Sequence, residues 1–449
     1  MSKQKIQLSD HFTYPRLLRF VLPAVGTMLF TSIYGIVDGL CVSNFVGKTA
    51  FAAVNLIMPL PQLLATIGFM LGTGGSAIVG ITLGEGDQKK ADRYFTLFLL
   101  AALISVSVLA VLGIVFLRPI AALLGAKGEL LDYAVRYGRI LMVSLPTFAL
   151  QNMFQSFFVT AEKPHLGFWF TVGAGCTNMV LDVLMVGIWG WGVEGAAIAT
   201  FISQLVGGVL PVFYFIDRSN SSRLHLCKTS FYSKVLRDAC INGSSELMTN
   251  LSMSLVNILY NYQLLRLAGE NGVAAYGVIM YAAFLFVAVF VGYAVGSAPI
   301  VSFHYGARNH AEVHNLYRKS LRLIAVVAVT LTLASMFIIP CVARIFVGYD
   351  AELLALTSRA FRLYALSFLI MGFNVYASSF FTALGDGVTS ALISFLRTLA
   401  FQVIAILLLP LLLGIDGIWL AVTAAELAAL AVSATMLLTK DKVFHYRKA

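Results

Sequence analysis

Ala52-Ala53-Val54-Asn55-Leu56-Ile57-Met58 has a likeness of itself at Ala274-Ala275-Tyr276-Gly277-Val278-Ile279-Met280, an offset of 222 residues (274 − 52). At that offset Gly74 and Gly84 fall on Gly296 and Gly306, and Gly192-Val193-Glu194-Gly195 falls on Gly414-Ile415-Asp416-Gly417. Ser156-Phe157-Phe158 matches Ser379-Phe380-Phe381 after a one-residue slip. Each match is short, but a register kept from Ala52 to Gly195 marks an internal duplication.

The duplicated unit is too apolar for water. Of 449 residues 59% are hydrophobic and 12% charged, and a membrane-crossing helix needs roughly 20 mostly apolar residues. Twelve such spans fit: Leu18–Ser43, Thr49–Leu83, Tyr94–Leu117, Tyr133–Ala161, Leu166–Trp189, Val193–Ile216, Val235–Leu267, Gly272–Tyr305, Leu316–Ile345, Leu353–Leu384, Val388–Leu413 and Ile415–Leu438. The expected fold is all-α and polytopic, two pseudo-symmetric bundles of six helices each. Residues 1–217 form the N-terminal lobe, 218–234 a polar cytoplasmic linker and 235–449 the C-terminal lobe. An even number of spans per half makes the repeats parallel, the arrangement in which transporters place a pathway between rocking halves.

The net charge of +10 does not point to nucleic acid, because the basic residues sort by loop. With the N-terminus inside, 21 of the 31 Lys and Arg fall on the cytoplasmic side, nine on the other, and Arg397 within a span. This follows the positive-inside rule with both termini cytoplasmic. No removable signal peptide is read before the first span. The five cysteines, Cys41, Cys176, Cys227, Cys240 and Cys341, are scattered and lack CxxC spacing, against a disulfide framework or zinc site.

Further motifs carry a resemblance. They are Pro23 in a first span that ends in Asp38-Gly39, the turn Gly47-Lys48-Thr49-Ala50-Phe51-Ala52-Ala53, the glycine-rich run Gly72 to Gly84 with its basic loop, Asn178 and Asp182 in span 5, and Gly192-Val193-Glu194-Gly195-Ala196-Ala197 opening span 6. Over nearly its whole length the chain resembles the multidrug and toxic compound extrusion (MATE) transporters. The resemblance implies export of lipophilic, often cationic small molecules against an inward flow of Na⁺ or H⁺, in a bacterial-type plasma membrane. Carried over by position, the family's cation site corresponds to Asp38, Asn178, Asp182 and Thr200.

The residues lead to the same place. An ionisable group in hydrocarbon costs roughly 2.5–3.5 kcal/mol and so faces a partner, a cavity or an ion path. In the N-terminal half these are Asp38 and Asp182, with Tyr34 and Asn178 one turn earlier on the same faces and the Thr200 hydroxyl in span 6. Such oxygens suit Na⁺, and the same carboxyls can carry H⁺. The repeat adds a contrast: Asp182 corresponds to Ala405 and Thr200 to Val422, and no carboxylate lies where Asp38 has its counterpart, between Val256 and Tyr260. Pro23, inside span 1, is the candidate hinge through which ion binding moves Asp38.

In the other half, Glu246, Asn250, Asn257 and Asn261 lie within about 60° of one another around span 7. The stripe either faces a cationic substrate between the lobes or glues helices together. Gln151 and Gln155 in span 4 and Asn374 and Ser378 in span 10 are further candidates for the substrate cavity. Arg397 and Glu426 are expected to pair with each other. A monomer in contact with membrane lipids and without cofactor is expected. No Walker motif GxxxxGK[ST] occurs, so ATP is not the direct energy source, and neither DDxxD nor HExxH is present for a membrane enzyme. The alternative is a flippase or exporter of a lipid-linked or other amphipathic metabolite.

Overall fold

A computed structural model describes residues 6–46, 48–348 and 350–447. Of the residues named above, Gly47 and the side chains of Cys41, Ser43, Lys48, Phe51 and Ile345 lie outside the described set. Sixteen helices follow in order: α1 Tyr14–Phe45, α2 Lys48–Ile57, α3 Pro59–Gly84, α4 Gln88–Leu123, α5 Glu129–Thr160, α6 Pro164–Asp182, α7 Gly192–Gly208, α8 Leu210–Ile216, α9 Ser233–Gly306, α10 His310–Val347, α11 Ala351–Ala365, α12 Phe368–Ala383, α13 Gly387–Phe395, α14 Phe401–Leu413, α15 Ile415–Thr439 and α16 Asp441–Phe444. Wide-turn π-helical segments continue α6 (Val183–Ile188) and join α13 to α14 (Leu396–Ala400).

These helices make twelve spans. Nine described stretches are long and apolar enough to cross a membrane, and the bent pair α11–α12, angled by 45°, makes a tenth. One of the nine, α9, has 74 residues, roughly 110 Å of helix against a hydrocarbon core of about 30 Å. It turns back at Gly269, whose φ of 61° and ψ of −150° no helix contains, and so supplies spans 7 and 8. The twelfth is α5, whose apolar stretch is diluted by Gln151, Asn152 and Gln155. Span 2 breaks between Ile57 and Pro59 as its prolines imply, because proline has no N–H for the helical ladder. Helix α1 runs continuously through Pro23.

The duplication is visible in the backbone. Left-handed residues recur in pairs: Gly86 and Arg308, Glu162 and Gly385, Gly192 and Gly414. The N-caps Asp87 and Asn309, which accept from Lys90 N and Glu312 N, are another such pair. Between the halves, a Cβ on Gly84 would stand 2.0 Å from the Phe303 carbonyl oxygen, and one on Gly306 would stand 2.1 Å from that of Ile81. Phe303 is the repeat counterpart of Ile81, so α3 and the second arm of α9 cross through two equivalent glycine contacts. Backbones meet there with no room for a side chain, the close approach small residues permit in membranes.

The N-terminal segment before α1, with a turn at residues 7–10, straps this same face. His11 Nδ1 pairs with Glu312 Oε2 at 2.6 Å, Phe12 N donates to Glu312 Oε1 at 2.9 Å, and Leu8 N donates to Glu162 Oε1 at 2.9 Å. Glu162 precedes α6 and Glu312 begins α10, so the strap joins the two halves.

Candidate cation-coupling site

Helices α1, α5, α6 and α7 converge on one side of the N-terminal half. Gly175 on α6 lets α1 in: a Cβ there would lie 2.5 Å from the Phe30 ring and 3.2 Å from that of Tyr34. One turn past Tyr34 stands Asp38, and two turns past Gly175 stands Asp182, at the point where α6 widens into its π-helical end. π turns interrupt the regular ladder and often mark functional positions.

The two carboxyls face each other within hydrogen-bonding reach. Asp182 is fully buried, and no N–H or O–H of the described residues reaches either of its oxygens. Asp38 Oδ1 is equally unpartnered, and Asn178 offers a buried Nδ2 with no acceptor. Tyr34 is in electrostatic range of Asp38, and Tyr137, 1% exposed on α5, is in range of both acids. No lysine or arginine pairs with either carboxyl among the described residues. Two acids so placed repel unless a proton or a cation lies between them, and their free oxygens with Asn178 and Tyr34 nearby suit either.

Thr200 is on a helix of the cluster but donates its hydroxyl to Ala196 O on its own helix at 3.0 Å. Tyr137 escaped the sequence reading. Its signal was a phenol among Ala134, Gly138 and Leu141, since a buried tyrosine hydroxyl usually seeks a polar partner.

In the C-terminal half Arg397 Nη1 lies 3.7 Å from Glu426 Oε1, with the two side chains 13% and 2% exposed, so the expected pair forms. Asn374, expected in the substrate cavity, is instead completely buried: its Nδ2 donates to Glu426 Oε2 at 2.7 Å and its Oδ1 accepts from Ser433 Oγ at 2.9 Å. The face of span 10 that carries it packs on span 12. Ser378 is half-buried among the hydroxyls of Ser390 and Ser394, at 2.8 and 2.9 Å. Gln151 is buried against Gly207, and Gln155 keeps a buried Oε1 without a donor among the described residues.

The stripe on the first arm of α9 has another character. Asn257 is exposed and Glu246, Asn250 and Asn261 half-exposed. Asn250 donates to Glu246 O and Asn261 to Asn257 O, at 2.9 and 3.0 Å. One amide N–H of Asn250 and one of Asn261 are thus used within the helix, and the Oδ1 atoms remain as acceptors.

The comparisons with known proteins agree with this architecture. The MatE family model matches twice, over residues 23–184 and 247–408. The multidrug export protein MepA of Staphylococcus saprophyticus is 21% identical over 433 residues, covering 95% of this chain and 94% of that one. The fold superposes with a TM-score of 0.91 at 22% identity on the outward-facing conformation of a multidrug resistance MATE family transporter of the MOP superfamily, covering 100% of both chains. On a MOP superfamily transporter from Pyrococcus furiosus, described as having a binding pocket of reverse polarity, the TM-score is 0.90 at 23% identity, again over 100% of both chains. With one family model matching each half and covering more than two-thirds of the sequence, this chain belongs to the MatE family of membrane transporters.

Proposed function

We propose that this protein is a secondary active exporter of lipophilic, cationic small molecules, driven by inward movement of Na⁺ or H⁺ through the Asp38–Asp182 pair. The observation that carries the reading is the pair itself: two facing acids, one fully buried, with unsatisfied oxygens and no basic partner among the described residues. An ion or proton between them draws α1 onto α6. Its departure leaves two like charges that push α1 away, and α1 bends where Pro23 lacks the N–H that would donate one turn back to Arg19. The similarity in sequence to a multidrug export protein over 95% of the chain supports the export of small molecules.

The substrate meets the protein between the halves, with the Asn257, Asn261, Asn250 and Glu246 face of span 7 presenting amide oxygens and a carboxylate. Facing lipid, those groups would cost several kcal/mol; facing a wet cleft, they attract a cation. The molecule works as a monomer in a bacterial-type plasma membrane, surrounded by lipid, with both termini and the linker on the basic, cytoplasmic side. A carrier of an amphipathic anionic metabolite is less well supported, since Arg397, the basic residue within a span, is held by Glu426. The test is dye efflux by Asp38→Asn and Asp182→Asn. Both variants are expected to accumulate normally and to lose ion-driven efflux; unchanged transport in both contradicts the proposal.

A further inference from the structure

The linker encloses a cavity against the start of α4 that the export cycle leaves unused. Its volume is about 480 Å³, and it is walled by Lys89 and Arg93 on α4 and by Arg218, His225 and Lys228 on the linker. The linker is tied in place rather than draped. Leu226 N donates to Phe215 O at 2.8 Å, Cys227 N to Thr96 Oγ1 at 3.1 Å, and Thr229 Oγ1 to Arg93 O at 2.8 Å. These bonds hold the cations of two distant stretches of sequence around one opening.

The cavity carries an uncompensated charge. None of Lys89, Arg93, Arg218 and Lys228 is in an ion pair among the described residues. The carboxylate in the wall, Asp92, accepts from His225 N at 3.0 Å and Gln88 Nε2 at 3.1 Å, which fastens the wall and leaves four cations against one anion. Just outside, Asp217 is engaged by Ser219 N and Oγ at 2.8 and 2.9 Å. His225, also in the wall, keeps a buried Nε2 with no partner among the described residues. Both ends of the linker carry exposed apolar side chains: Phe213 at 63% and Ile216 at 54% on α8, and Phe231 at 75%. Cations beside exposed aromatic and aliphatic groups at the end of a span are the arrangement that meets a lipid headgroup and its acyl chains together.

We propose that this cavity holds the phosphate of an anionic phospholipid headgroup from the leaflet on the basic side of the membrane, with the acyl chains along α8. A free phosphate shares the charge but leaves Phe213, Ile216 and Phe231 uncovered. The test is native mass spectrometry of the full chain in detergent, titrated separately with phosphatidylglycerol, phosphatidylcholine and inorganic phosphate. Phosphatidylglycerol is expected to bind most tightly and to resist displacement by inorganic phosphate. Arg93→Gln with Lys228→Gln is expected to weaken it by about 25-fold, at about fivefold per cation removed. Arg318→Gln with Arg322→Gln, exposed on α10 and away from the cavity, is expected to leave it unchanged. Both altered side chains of the test variant are exposed and outside any ion pair, so the fold does not depend on them. Equal weakening by both double variants, no weakening by the first, or tight binding of inorganic phosphate in preference to the lipid would overturn the proposal.

Discussion

Asp182 and Glu426 are both buried acids, yet their neighbours give them different roles. Glu426 is matched by Arg397 and Asn374, and deleting its charge leaves Arg397 alone in a dry interior. Glu426→Gln is expected to cost about 3–5 kcal/mol, read as thermal unfolding in detergent, and a second change of Arg397 to Met is expected to restore most of it. Asp182 has no such partner among the described residues, so Asp182→Asn is expected to leave thermal stability unchanged or raised. Asp386, outside the spans, is a third case. Burial pushes its carboxyl up, but Lys440 Nζ at 2.8 Å and hydrogen bonds from Thr389 outweigh that and hold it below the ordinary carboxylate range. Its stabilisation is therefore complete above the ordinary value of about 4 and is lost as pH falls through the lower folded value. Asp386→Asn, which keeps the helix cap, is expected to be less stable than the parent at neutral pH by under about 1 kcal/mol, because Lys440 is partly exposed. In acid denaturation curves the difference should vanish. The acids were legible in the sequence because charge in hydrocarbon is expensive. The opposite error, Asn374 assigned to a cavity, arose because the sequence does not say which face of span 10 meets span 12.

At the scale of the helices, the repeat gave the glycines but not what they touch. Gly84 and Gly306 stand at equivalent positions, and only their packing reveals that each sits on the carbonyl of the other's half. A methyl group added at either has nowhere to go without parting the helices. Gly84→Ala and Gly306→Ala are each expected to destabilise the protein by about 1–3 kcal/mol and to loosen the strapped face. Cysteines placed near the crossing should then label faster, by a similar factor in both variants. Labelling that changes in one variant alone would mean that the two contacts are not equivalent. The span boundaries were legible wherever apolar runs meet polar loops. They were hardest to read in α5, whose glutamines and asparagine dilute its apolar run, and the turn between spans 7 and 8 rests on the single backbone break at Gly269.

For the whole molecule, the halves agree in helix order, caps, left-handed turns and glycine crossings, and disagree in their buried charge. One half sets a buried acid beside a partly buried one with no cation among the described residues; the other buries an acid with an arginine. In the proposed function the evenly duplicated frame supplies two lobes that rock, and the unequal charge makes one of them the half that responds to an ion. The frame was readable from hydropathy and repeat alone, because both follow from the cost of exposing backbone and charge to lipid. The approach of α1 to α6 that brings Asp38 to Asp182 was not, since it depends on packing at Gly175. The most direct measurement is efflux of a cationic dye from proteoliposomes in which a Na⁺ gradient and a proton gradient are imposed separately, for the parent protein and for Asp38→Asn. At least one gradient should drive efflux by the parent, and neither should drive it in the variant. Equal gradient-driven efflux by both proteins would contradict coupling through the N-terminal acids.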